Sequence, residues 1–267
     1  MKLNKYILFT ALYIGIMALG MTIMYYGLGI QYGSQEMAKV VIWIEIILTL
    51  LVVYYIRRYA SWRDVGFGKI TWTSVLWLAP TLLLSLISGA GAIMAIASGN
   101  PNSREIQSVV LVGLLTLLVG FSEETMFRGI LLRGALARYN VITSLLISAV
   151  GFSLLHSVNI FGGEPTNEVG SQMFATLMDG LFMAPIAILV GNLIPLIIAH
   201  FLWDFILLAP TQVASTEVTS GFFTLAQALI IPVQYVLMIV GWVAVFVLWW
   251  RGKFRTPGAA QDGTAKV

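Results

Sequence analysis

An all-α integral membrane protein, a polytopic bundle of about eight transmembrane helices around a polar cavity, is the fold class this sequence predicts. Three observations point there. Hydrophobic residues fill 59% of the 267 positions and charged residues only 10%, a balance that a solvated globular surface cannot reach. Apolar runs of about 15 to 25 residues recur along the chain, enough to cross a hydrocarbon layer of about 30 Å at 1.5 Å per residue. The few titratable groups inside those runs gather at helical spacings, although each costs roughly 2.5 to 3.5 kcal/mol at a bilayer centre on insertion scales. A single integral domain over residues 1–255 accommodates every run, because no segment long enough for a soluble domain lies free of them.

The first run, Tyr6 to Ile30, follows the charged flank Met1-Lys2-Leu3-Asn4-Lys5. It is too long for a signal peptide and is expected to be an uncleaved span. The others run over Val40 to Ile56, Ser74 to Ile96, Ile106 to Met126, Val141 to His156, Phe174 to Val190, Leu193 to Leu208 and Ile231 to Trp250. The connection from Ser157 to Gln172, with Gly162-Gly163-Glu164-Pro165, is expected to be a plain turn, with a gate over His156 as the alternative. Residues 256–267 are rich in Gly, Ala and polar residues and are expected to form a disordered tail. No internal repeat is evident, which weakens the case for a transporter built on inverted repeats.

Basic residues predict the orientation, since cytoplasmic connections collect Lys and Arg. With the N-terminus inside, all 15 except Lys39 and Arg104 fall on the inner side, Arg128, Arg133 and Arg138 among them. Both termini are therefore expected in the cytoplasm, and the compact size points to a prokaryotic plasma membrane. The net charge of +3 is accounted for by topology and gives no case for nucleic acid. Zero cysteines exclude disulfides, thiolate nucleophiles and Cys-ligated zinc. Trp62, Trp72, Trp249 and Trp250 lie near span ends, where an amphipathic ring suits the headgroup layer.

Three polar islands remain. Glu123 and Glu124 point about 100° apart on a helix, so both are not expected in one groove. Arg128 lies four residues after Glu124, the spacing at which Glu and a basic residue pair on one face. Glu124 then reads as the paired carboxylate, leaving Glu123, on the side of Phe127, free for general-base work on water. The chain owns two histidines. His156 is as far after the Tyr139-Asn140 turn as Glu124 is before it, so a hairpin would bring them to similar depth and the acidic pair and this histidine are expected to be neighbours. Phe152, one turn earlier, can wall its imidazole. His200 and Asp204 repeat the four-residue spacing, so the Asp can orient the imidazole, or both can bind metal. Glu45 and Asp179 have no basic or His partner at helical spacing and read as packing or cavity-lining groups.

These islands, Glu123-Glu124-Thr-Met-Phe-Arg128-Gly129, Phe152-Ser-Leu-Leu-His156 and His200-Phe-Leu-Trp-Asp204, with the approach Ile194-Pro195-Leu196-Ile197-Ile198-Ala199, resemble the signature motifs of the CPBP family. That family comprises CAAX proteases and bacteriocin-processing proteins, is also called Abi, and includes the type II CAAX prenyl endopeptidases. The likeness covers about residues 115 to 206, inside a peptidase core of about 106–208. The resemblance implies a glutamate-dependent intramembrane endopeptidase, usually labelled a metalloprotease, whose cavity opens to the cytosol. Glu123 and His156 would activate water, Glu124 and Arg128 would support them, and His200 with position 204 would stabilise the oxyanion. Where prenyl endopeptidases carry Asn, this chain has Asp204, as other members do. An ionised Asp donates no hydrogen bond, so Asp204 is expected to orient a protonated His200 or to join a metal site.

Zinc is the expected metal if one is bound, with Glu123, His156 and His200 as its ligands, although none of the compact zinc-protease spacings such as His-Glu-x-x-His occurs. Metal-free activation of water by Glu and His is compatible with the same residues. The expected partners are membrane lipid and a peptide or lipidated protein substrate. The alternative is a non-hydrolytic carrier, or a peptide-binding scaffold or immunity protein, whose buried acids serve as proton or cation sites.

Overall fold

The computed structural model describes residues 5–214 and 221–253. Among them it is all helical, and eight helices are long and apolar enough to cross a membrane. They are α1 (Lys5–Gly27), α2 (Met37–Tyr59), α3 (Ala79–Ser98), α4 (Ser103–Leu136), α5 (Val141–Gly162), α6 (Thr166–Val190), α7 (Ile194–Gln212) and α8 (Phe223–Trp250). The expected tail at 256–267 lies outside the described residues.

Helix pairings run in a closed circuit: α1 packs on α2, α2 on α4, α4 on α7, α7 on α3, α3 on α8, α8 on α6, α6 on α5, and α5 returns to α1. Each helix therefore keeps one face inward and one toward lipid. Hydrogen bonds at the two ends match the alternation of connections. At one end the segment after α2 meets the α6–α7 turn, with Leu193 N donating to Gly66 O at 3.0 Å and Asn192 Nδ2 donating to Gly68 O at 2.6 Å. Gly66 and Gly191 have φ of +106° and +71° there, backbone that L side chains rarely adopt. Asp64 accepts from Ser61 N and Oγ in the same segment, bonds that hold its carboxyl below the ordinary value. At the other end Gln35 reaches Thr211 O, and Ala214 N donates to Glu105 at 3.0 Å. Arg57, Arg58, Arg63, Lys69, Arg133 and Arg138 belong to the first end, Lys39 and Arg104 to the second.

Four expectations are corrected. Helix α4 runs on to Leu136, and its 34 residues span about 51 Å at 1.5 Å per residue, well beyond a hydrocarbon core of about 30 Å. Level with its Gly129 is Leu193, so the α4–α5 hairpin continues past the α6–α7 turn. This lets His156, far along α5, come to the depth of His200, near the start of α7. Arg128 is fully buried and is not a topology charge in a cytoplasmic connection. The connection over Ser157–Gln172 is mostly helix: a tight turn over Ser157–Gly162 extends α5, and α6 starts at Thr166. Helix α8 likewise begins at Phe223, well ahead of the expected Ile231.

Candidate active site

Helix α4 meets α7 where a side chain is missing. A Cβ on Gly120 would lie 3.0 Å from Ile197 O and 3.2 Å from Phe201 N, so glycine lets the two backbones touch, as small residues do between membrane helices. One turn further, both glutamates reach His200. Glu124 Oε1 lies 2.9 Å from His200 Nδ1, and Glu123 Oε2 lies 3.7 Å from Nε2. The expectation that adjacent glutamates take separate grooves is thereby corrected. Directions 100° apart fall on either side of the line facing α7, and an imidazole has a nitrogen for each. Asp204 Oδ2, one turn along α7, is 3.4 Å from the same Nε2.

The pairing of Glu124 with Arg128 is as its spacing predicts, Arg128 Nη1 donating to Oε1 at 2.8 Å with both side chains fully buried. Here α4 widens into a π-helical turn over Thr125–Leu131. Ser148 Oγ on α5 donates to Phe127 O within that turn at 2.9 Å, tying α4 to α5. Gly129 fits against Val65 O, which a Cβ would approach to 2.9 Å.

His156 has a different setting. Its Nδ1 lies 3.1 Å from Phe152 O, its own helix's carbonyl. A nitrogen facing a carbonyl oxygen carries the hydrogen, which assigns Nε2 as the acceptor in the neutral ring. Among the described residues His156 makes neither a hydrogen bond nor an ion pair with Glu123 or Glu124. Phe152 joins the two histidines instead, its ring centre 5.1 Å from that of His156 and 6.1 Å from that of His200, both edge-on. Arg128 Cζ stands 4.1 Å from the centre of the Phe152 ring. Phe127 packs edge-on against Phe152 at 5.4 Å and against Tyr13 at 5.8 Å, completing an aromatic wall behind the site.

A cavity of about 210 Å³ lies in front of this wall, lined by Phe152, His156, Asp179, His200, Trp203 and Asp204 together with Gln234, Tyr235 and apolar groups of α6 and α8. Glu123 is not on the lining; only 7% of its side chain is exposed, one layer behind His200. Among the described residues no group of three or more His, Asp or Glu side chains is arranged to hold a metal ion. Glu123, His156 and His200 do not gather as the zinc ligand set suggested for them. His200 turns both nitrogens to carboxylates, and His156 turns one to its backbone.

Two acids set aside in the sequence are informative. Glu45 is fully buried and accepts from Ser122 Oγ at 2.7 Å, and Ser122 in turn meets Tyr13 OH at 2.7 Å. This chain packs behind the glutamates, as a packing role requires. Asp179 lines the cavity and also takes a hydrogen bond from Arg128 Nη2 at 3.3 Å. Helical spacing could not reveal that partner, which belongs to another helix.

The segment 105–206 matches the family model described as Type II CAAX prenyl endopeptidase Rce1-like. That segment is similar to Rce1-like domains. The matched segment extends from the first turn of α4 through most of α7 and contains Glu123, Glu124, Arg128, Phe152, His156, His200 and Asp204. It supports a CAAX-type intramembrane protease, in keeping with the eight apolar helices. Neither a curated protein nor a solved structure matches the chain.

Proposed function

We propose that the protein is a glutamate-dependent intramembrane endopeptidase that hydrolyses a peptide bond in a membrane-associated or lipidated peptide. The observation that carries this proposal is that the α5 and α7 motifs line one cavity, where His156 presents an acceptor nitrogen, while the α4 glutamates close on His200 from behind and, with Asp204, ring it with carboxylates.

In this mechanism a water held by His156 Nε2 reaches past His200 to the Glu123 carboxylate, which takes one proton from it as the hydroxide adds to the carbonyl carbon. The oxyanion is met by His200. Its Nε2 lies 3.7 Å from Glu123 and 3.4 Å from Asp204, longer than a well-formed hydrogen bond, so an N–H there is free to turn to the oxyanion. Asp204 accepts and does not donate, so its part is to orient that ring. Glu124, shared between Arg128 Nη1 and His200 Nδ1, holds the ring from the other side. Collapse of the tetrahedral intermediate breaks the C–N bond, and the proton taken from water goes to the leaving amine. One water is consumed, and one carboxyl and one amine are formed.

The apolar lining, with Phe182, Met183, Ile231 and Met238, fits a peptide whose hydrophobic or lipidated portion enters from the bilayer. The face carrying most of the Lys and Arg is assigned to the cytoplasm. Proteoliposomes supplied with lipidated peptides test the proposal. The native protein is expected to give two fragments by mass spectrometry, and a folded Glu123→Gln protein none. Full cleavage by Glu123→Gln rejects the role of Glu123, and translocation with no fragments identifies a carrier.

A further inference from the structure

Arg128 is the one Lys or Arg among the described residues whose side chain is fully buried, and it is held by carboxylates from two helices. Glu124 alone would satisfy its charge. The second carboxylate, Asp179 on α6, lies 3.3 Å from Nη2, while Nε has no hydrogen-bond partner among the described residues. The orientation of the planar guanidinium is therefore set by its two Nη contacts and by the face of Phe152. Glu124 Oε1 is shared between Arg128 Nη1 at 2.8 Å and His200 Nδ1 at 2.9 Å. Turning the guanidinium moves Glu124, and moving Glu124 turns the His200 ring.

We propose that Asp179 is a further positioning residue of this site, fixing His200 through Arg128 and Glu124. The proposal rests on the peptidase assignment for its consequence in catalysis, but the relay itself is geometric. Packing places Asp179 independently of its charge. The next residue, Gly180, lies so close to α5 that a Cβ there would be 2.8 Å from Ala149 Cα and 3.0 Å from Ala149 O. Asp179→Asn therefore changes the partner of Arg128 without releasing α6 from α5. Relays of this kind act on the rate through geometry at the reacting group.

Because His156 and His200 are the chain's two histidines, histidine labelled with a nitrogen isotope gives ring signals from these two sites alone. His156→Gln assigns them. In the full-length protein in nanodiscs, Asp179→Asn is expected to displace the His200 ring signals and leave those of His156 in place. Thr176→Ala, a cavity neighbour of α6 that does not touch Arg128, is expected to displace neither. In the cleavage assay Asp179→Asn is expected to lower kcat about tenfold to a hundredfold with KM within about threefold.

Unmoved His200 signals in a folded Asp179→Asn protein overturn the relay. So does an equal displacement by Thr176→Ala, and so does a rise in KM with kcat unchanged, which would make Asp179 a substrate contact. Asp179→Glu keeps the carboxylate one methylene further out and is expected to give an intermediate displacement. It carries the test alone if Asp179→Asn does not fold, and no displacement in it overturns the relay. The ring signals need no substrate, so the relay can fail while the Glu123→Gln test of hydrolysis succeeds, and the reverse.

Discussion

The α5 and α7 walls of the cavity each present one histidine, and the two are built differently. His156 has its Nδ1 on the carbonyl of Phe152 and an aromatic ring beside it, and among the described residues no carboxylate forms a hydrogen bond or ion pair with it. His200 has carboxylate oxygens at both nitrogens, from Glu124, Glu123 and Asp204. A ring that donates to a carbonyl on one side is left with an acceptor on the other, whereas a ring between carboxylates is arranged to donate. The difference teaches that the same residue type, at similar depth and on either side of one phenylalanine, can be set to accept in one place and to donate in the other, the two parts that the proposed hydrolysis asks of them.

The division is broken if the histidines are interchangeable. His156→Gln removes the acceptor and is expected to lower kcat about 10² to 10⁴-fold, the usual contribution of a positioned base, in single-turnover cleavage by the reconstituted protein. His200→Gln keeps one amide donor but loses the ring between carboxylates. Its kcat is expected to fall about 10² to 10³-fold, the range for an oxyanion donor, with a smaller change in KM. Equal pH–rate profiles for the two variants would argue against separate roles.

Phe152 sharpens the comparison, since its ring touches both imidazoles and carries the Arg128 guanidinium on its face. Phe152→Leu keeps apolar bulk but loses these aromatic contacts, worth about 0.5 to 1.5 kcal/mol each. Activity is expected to fall about tenfold, with a modest loss of thermal stability in detergent. Metal removal has the smallest expected effect. Chelator treatment is expected to leave cleavage within about twofold, because among the described residues no three donors converge. Activity lost to chelator and restored by zinc would mean that the histidines share a ligand role, and would undo the contrast between them.

Much of this site was legible because its recognisable parts are local. The Glu124–Arg128 pair and the His200–Asp204 pair each span one helical turn, and Gly, Pro and polar clusters marked all eight spans. What escaped was set by contacts between helices. Asp179 lies 51 positions from Arg128, and the two meet only across the α4–α6 junction. Both glutamates share His200 because Gly120 lets α7 come near, a proximity that no spacing within α4 encodes. The basic-residue rule counts charges as solvated, so it put Arg128 in a connection, although two carboxylates and an aromatic face hold it inside. The start of α6 was missed because its opening turns carry Asn167, Glu168, Ser171 and Gln172, polar residues that hide a helix from an apolar-run criterion.

The measurement closest to the central claim is cleavage in water enriched in heavy oxygen. A lipidated peptide is presented in proteoliposomes, with native, Glu123→Gln and His156→Gln proteins compared by mass spectrometry. The account predicts one heavy oxygen in the new carboxyl group of the fragment made by the native protein, with little or no fragment from either variant. Undiminished labelled product from a folded Glu123→Gln protein would contradict it, as would native fragments that carry no solvent oxygen.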